Sequence, residues 1–399
     1  MPLSSSQKSS LSTFISTLSA FLASIPIGMN AIIFPTTMEI HGFSNTVIGI
    51  IMSAEAAIAI PICFLLPQLL TTVGLLRGFI FSSFLCVPAA ILLSYVSDEP
   101  SWFLLVLIYG SGVFLFLVLL QIWVNSISIS KYRGLTVALF GVSTSLGLAM
   151  GPIILQFIEW FKLSLSEYSW ISKILVNVSL QLPFVVGAGI SLVATAPMVF
   201  IVPWIPLYKQ HQSSHLFQLV RRSPAIMFAV SMGAASHFGV SSFIVLYGMH
   251  NGFSLEEASF LFTAFILGSL LLEIPLGWLS DFLDRRYIVI IIVFLNMACA
   301  VYLPIAIYVS YQVWILMLIW GGVTGALYSI CLAIIGERFK DELIAATATY
   351  SMMDNIGGTL GILMIGVAMD AFGVDGFPYV IMLVNILYFS FALTRYRVV

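Results

Sequence analysis

The chain has 399 residues, of which 60% are apolar and only 8% charged, against the ~25% charged of an ordinary soluble domain. With a mean hydropathy of +1.10 this excludes a water-facing globular protein, and a formal charge of −2 excludes a nucleic-acid binder, which needs a basic footprint. Cys63, Cys86, Cys299 and Cys331 all lie in apolar runs, so they read as small buried hydrophobes rather than a disulfide framework.

Barrel strands would show as ~10-residue alternations. The chain carries instead continuous apolar runs of about 20 residues, the length a helix needs to cross a bilayer core. A polar start, residues 1–11, is expected to be disordered and cytoplasmic. Six spans then follow at 12–36, 46–69, 78–97, 102–127, 135–158 and 180–203. Six more run 224–247, 256–280, 287–308, 312–336, 344–369 and 377–394. The first is too long for a signal peptide, is interrupted by Pro26 and is followed by no A-x-A site. The expected fold is therefore all-α and polytopic, with twelve transmembrane helices.

Orientation follows from the basic residues. With the N-terminus inside, 13 lysines and arginines fall in cytoplasmic segments, and only Lys162 and Lys173 fall outside. Both termini are then cytoplasmic, in the cell (inner) membrane. Trp102 and Trp160 read as interface anchors.

The longest polar stretch, 204–223, divides the chain into an N-terminal bundle (12–203) and a C-terminal bundle (224–399). The halves resemble each other. Gly42-Phe43-Ser44 recurs as Gly252-Phe253-Ser254, an offset of 210. Leu107-Ile108-Tyr109-Gly110 recurs as Leu318-Ile319-Trp320-Gly321 at 211, and at that offset Gly147 falls on Gly358. Three matches in order point to a tandem six-helix duplication, one known architecture of secondary transporters.

Between the eighth and ninth spans stands Gly277-Trp278-Leu279-Ser280-Asp281-Phe282-Leu283-Asp284-Arg285-Arg286. This resembles the G-x-L-x-D-x-x-G/D-R-R signature of the major facilitator superfamily (MFS). Gly277 would permit close helix approach, Asp281 would meet arginines or a helix N-terminus, and Arg285 and Arg286 would make and break ion pairs as the halves rock. Pro67 and Thr71 stand where the first half would repeat Gly277 and Asp281, so its inner gate lacks the carboxylate. Gly147-Leu-Ala-Met-Gly151-Pro152 resembles part of the G-x-x-x-G-P motif of proton-driven exporters in the superfamily, though a packing role for its glycines is equally open. The resemblance implies two pseudo-symmetric six-helix bundles, alternating access and a central cavity lined by both halves.

Ionisable groups within a span are costly and mark function by default. Glu55 in the second span and Asp354 in the eleventh each lie roughly 13 Å deep at the helical rise, and Asn355 follows Asp354. Neither acid has an acidic counterpart in the other half, where Phe265 and Ser143 stand. His237 is a candidate relay, Gln121 and Asn125 share a face of the fourth span, and Asn30 is a further cavity candidate. Glu273, one turn before Gly277, belongs with the cytoplasmic gate of Asp281, Asp284, Arg285 and Arg286.

These features point to a secondary active transporter moving a small organic solute, coupled to protons, with export favoured on the glycine motif. Carboxylates without a mid-membrane cation suit a cationic or neutral amphipathic solute. The alternatives are proton-coupled uptake of a metabolite and a non-transporting receptor or scaffold. No H-E-x-x-H or G-x-S-x-G motif supports an enzyme, and duplicated halves argue against a channel. No cofactor or metal is expected; the partners are the solute, protons and membrane lipid, with the protein acting as a monomer.

Overall fold

The computed structural model describes residues 5–127, 133–166, 181–199, 216–280, 282–339 and 343–395. It is helical throughout: α1 (Ser5–Ile40), α2 (Asn45–Ala57), α3 (Ala59–Thr72), α4 (Leu75–Leu93), α5 (Glu99–Ile127), α6 (Arg133–Ser166), α7 (Leu182–Val199) and α8 (Leu216–Arg222). Then come α9 (Pro224–His250), α10 (Leu255–Leu279), α11 (Arg285–Ala306), α12 (Ser310–Arg338), α13 (Leu343–Phe372) and α14 (Gly376–Arg395). Ten stretches are long and apolar enough to cross a membrane, and Leu182–Met198 and Gly376–Phe391 are shorter apolar helices at the sixth and twelfth expected positions.

Two local departures have plain causes. Helix α1 opens at Ser5, so residues 5–11, expected to be disordered, are helical; no Gly or Pro interrupts the run before Pro26. The second span is broken at Ile58 into α2 and α3, because Pro61 has no N–H to give the Ala57 carbonyl.

The recurring Gly-Phe-Ser is a helix–turn–helix device. Gly42 and Gly252 adopt φ of 82° and 91°, the left-handed conformation that closes a helix C-terminus at little steric cost. Phe43 N then bonds Met38 O at 3.0 Å, and Phe253 N bonds Gly248 O at 3.1 Å. Ser44 and Ser254 cap the helices that follow.

Two compact units result: residues 1–34 with 64–210, and residues 35–63 with 211–399. In the first unit α6 packs on α1 through glycines. A Cβ at Gly147 would stand 2.3 Å from Phe21 O, and one at Gly151 would stand 2.4 Å from Gly28 C. The second unit repeats the contact between α13 and α9, where Gly357 would meet Ser231 O at 2.0 Å and Gly361 would meet Ala235 Cα at 2.5 Å. Phe21/Gly147 and Ser231/Gly357 are one contact shifted by 210, so Gly357 rather than Gly358 is the partner of Gly147. The G-x-x-x-G motif is thus helix packing in both halves.

Trp102 is not an interface anchor. It is fully buried, donates from Nε1 to Val96 O at 3.1 Å, and packs edge-on against Phe34 and Phe184. Asp98 caps the helix beneath it, accepting from Ser101 N at 2.9 Å, and the Ser101 bonds hold its carboxyl below the usual carboxylate range. Trp160 is exposed.

Four helices of the second unit are joined by a buried amide network. Trp320 Nε1 donates to Asn296 Oδ1 at 2.6 Å. Asn296 Nδ2 donates to Ser236 Oγ at 3.0 Å and Asn385 Oδ1 at 3.1 Å. Asn385 Nδ2 returns to Ile381 O at 2.7 Å. Satisfied polar groups of this kind tie helices together where apolar burial no longer discriminates them from lipid.

Candidate functional site

The candidate ionisable residues of the second unit fall at different depths. The register of α2 against α13 is set where a Cβ on Gly49 would meet Gly366 Cα at 3.2 Å. From that contact Glu55 lies six residues along α2, about 9 Å. Asp354 lies twelve residues back along α13, about 18 Å in the same direction. The two carboxylates are therefore separated by roughly 9 Å of depth. Both side chains are half-buried, and among the described residues neither accepts a hydrogen bond or meets a cation.

Asp354 has company of another kind. Tyr328 of α12 is in electrostatic range of both Asp354 and Glu273, and so is Tyr350 of α13. Tyr350 Oη donates to Tyr328 O at 2.6 Å, and the two rings meet edge-on at 5.1 Å. Glu273 of α10 accepts a hydrogen bond from Ser329 Oγ on α12. The structure thus gathers Glu273, Asp354, Tyr328 and Tyr350 from three packed helices of one unit.

This changes the grouping expected for Glu273. It makes no ion pair with Arg285. Arg285 Nη1 instead meets Glu337 Oε1 at 2.8 Å, tying the start of α11 to the end of α12. Asp281 and the Arg286 side chain lie outside the described residues, and Asp284 is exposed. Gly277 departs from its expected role too: among the described residues nothing lies within 4 Å of a Cβ built there. Its carbonyl accepts Ser280 Oγ at 2.6 Å, so the residue finishes the helix rather than seating another.

His237 stands apart from the carboxylates. Parallel packing of α9 on α13, at an offset of 126 in the glycine contacts, puts it level with residue 363, about 13 Å from Asp354 in depth. Its Nδ1 is 3.4 Å from Thr324 Oγ1 and its ring lies 5.3 Å from Phe265. That is a packed aromatic environment. Asn355 Nδ2 bonds its own helix at Ser351 O, 2.8 Å away.

In the first unit Asn30 is buried in α1 and Gln121 is exposed on α5. The Asn125 side chain lies outside the described residues. Among the described residues no three His, Cys, Asp or Glu side chains are placed to hold a metal ion. The sequence reading missed Tyr328, Ser329 and Tyr350. Ordinary residues in apolar spans, they gain interest only through the carboxylates that tertiary packing brings to them.

The chemistry available is the holding of one positive charge. Two carboxylates that both act electrostatically on Tyr328 and Tyr350, with no Lys or Arg in the middle of a helix, can take a proton or an organic ammonium group. An isolated ionised carboxylate in such a setting is costly.

Residues 226–398 match the family model of the Major Facilitator Superfamily. A curated relative, the uncharacterized MFS-type transporter YfkF of Bacillus subtilis, is 28% identical over 204 residues, 50% of this chain. The match spans about half the relative's own length, 48%. Among solved structures, a mutant of the nucleoside transporter NupG covers 96% of the chain and 99% of its own at a TM-score of 0.76 and 13% identity. A variant of the E. coli fucose:proton symporter FucP covers 96% of the chain and 98% of its own at 0.64 and 16%. A bacterial homologue of the human lysosomal transporter Spinster covers 97% and 95% at 0.71 and 13%. The second half of the chain thus matches the family model of the Major Facilitator Superfamily, and the chain as a whole shares the fold of these solved transporters.

Proposed function

We propose that the protein is a proton-coupled secondary transporter of a small cationic or neutral amphipathic organic solute, with Asp354 as the coupling group and Glu273 as its neighbour. The observation that carries this reading is the Asp354 carboxylate, half-buried and without a donor or cation among the described residues. A carboxylate so placed is stable when neutralised, either by a proton or by the positive end of a solute, and competition between the two is what couples their movements. Tyr328, half-exposed beside both acids, offers a ring face to an organic cation. That the fold is shared with a fucose:proton symporter is consistent with coupling of this kind.

Two six-helix halves, 12–203 and 224–399, joined by the linker 204–223, would rock about this site, with both termini cytoplasmic and the cell (inner) membrane as location. The Arg285–Glu337 pair would steady the cytoplasmic ends of α11 and α12. Secondary transport is reversible, and the glycine motif serves packing in both halves, so direction is set by the two gradients.

The test is transport in proteoliposomes with an imposed pH difference. Asp354→Asn, which mimics the protonated carboxyl, should hold a cationic solute more weakly and should no longer accumulate it. Uphill accumulation by Asp354→Asn at the wild-type level would overturn the assignment.

A further inference from the structure

The tip formed by the end of α1, the turn and α2 belongs to the first half by sequence, yet residues 35–63 pack with residues 211–399. Two contacts fasten it. At the first, Asp370 near the end of α13 accepts from Asn45 N and Asn45 Nδ2 through Oδ1, both at 3.0 Å, and from Thr46 N through Oδ2 at 2.7 Å. Ser44 Oγ takes Val47 N at 3.3 Å. The first-turn N–H groups of α2, which no helix can satisfy internally, are thus filled by Ser44 and by a carboxylate 325 residues away. That carboxylate also sits at the positive end of the helix dipole.

The equivalent helix of the second half needs no such help. In α10, Ser254 and Glu257 form a closed capping box. At an offset of 210 the acid Glu257 becomes Val47. Helix α2 lacks its own capping acid, and Asp370 supplies it from another helix. A cap supplied from elsewhere is lost when the two elements part.

At the second contact Glu39, at the end of α1, pairs with His250, at the end of α9. Beside the first contact, one turn along α13 from Asp370, the backbones come close: a Cβ on Gly366 would stand 2.3 Å from Asn45 O.

We infer that Asp370 and the Glu39–His250 pair form a latch on the outer side, holding the α1–α2 tip closed, and that the transport cycle must break it to open outward. The inference rests on the proposed topology for its side, and Asp370 acts in it as a positioning residue through the N-terminus of α2.

The test uses two single-cysteine reporters on the full chain, with the four native cysteines replaced by serine or alanine. Ser53 is buried one turn below Gly49 on the same face of α2, and Ile40 is exposed at the rim. Each is labelled by a membrane-impermeant maleimide added from one side of sealed vesicles. With Ser53→Cys as reporter, Asp370→Ala should raise outside labelling by about fivefold, the order of a helix-terminal charge, Glu39→Gln should raise it by about twofold, the order of a partly exposed ion pair, and Asp370→Glu should restore the slow rate. Asp370→Asn, with the near-native shape, covers a failure of the alanine variant to fold. Unchanged Ser53→Cys labelling in both Asp370→Asn and Glu39→Gln, with Ile40→Cys labelled from outside throughout, overturns the latch. Labelling of Ile40→Cys only from inside would overturn the topology instead. The same series read with inside reagent then tests the latch on that side.

Discussion

Gly151 and Gly277 invite one experiment, because the sequence offers both as packing glycines and the structure separates them. A Cβ on Gly151 would stand 2.4 Å from Gly28 C and from Met29 N, backbone atoms of α1 that no rotamer change can move. Carbon atoms in contact stay about 3.5–4.0 Å apart, so α1 and α6 must part by roughly 1 Å, and gaps of that size forfeit about a quarter to a half of each contact's attraction. Overpacking of this kind costs ~1–3 kcal/mol. At Gly277 the same methyl meets nothing within 4 Å among the described residues. The helix-propensity gain of replacing glycine by alanine, about 0.5–1 kcal/mol, is common to both sites. Gly277→Ala should therefore melt at or slightly above the wild type in detergent, while Gly151→Ala should be less stable than Gly277→Ala by ~1–3 kcal/mol. Tryptophan fluorescence during thermal unfolding reads both. Equal melting of the two variants, or a weaker Gly277→Ala, would refute the packing assignment.

Other expectations follow from the same structure. Asn296→Leu removes three hydrogen bonds, at 2.6, 3.0 and 3.1 Å; at ~0.6 kcal/mol each in a membrane helix bundle it should lose about 2 kcal/mol of stability, and a loss below a quarter of that would mean the network is idle. Glu273→Gln should abolish accumulation together with Asp354→Asn, because both acids bear on Tyr328; with one proton per solute the wild type can reach at most about tenfold accumulation per unit of pH difference, and a Glu273→Gln variant that matches it would remove Glu273 from the site. Arg285→Gln should slow exchange in both directions while leaving solute affinity intact, and unaltered rates would make the Glu337 pair a surface contact only. Thr72→Cys should be labelled from the cytoplasm and Ser97→Cys from outside, and reversal at either position would overturn the orientation.

Membrane class, helix number and internal repeat are legible in the sequence because they rest on local quantities. Bilayer thickness fixes the length of an apolar run, and Gly42-Phe43-Ser44 with its repeat is a self-contained helix stop and start. The place of Glu55 and Asp354 along their own helices follows likewise from counting residues, but the roughly 9 Å of depth between them emerges only from the Gly49–Gly366 contact. What those side chains meet was decided by packing alone. Glu273 looked like a neighbour of Arg285, ten or so residues on, yet it faces Ser329 and Tyr328 of α12, because parallel helices bring together residues at matching depth rather than residues near in sequence. Trp102 has the composition of an interface anchor, but the fold buries it against Phe34 and Phe184. Asp370 reads as one acid at the end of an apolar run; only the placement of α2 beside α13 makes it the cap that Val47 cannot provide. Helix formation is driven by composition and hydrogen bonds within a segment, whereas the partner of a buried charge is fixed by which helix stands opposite, and that is a property of the assembled bundle.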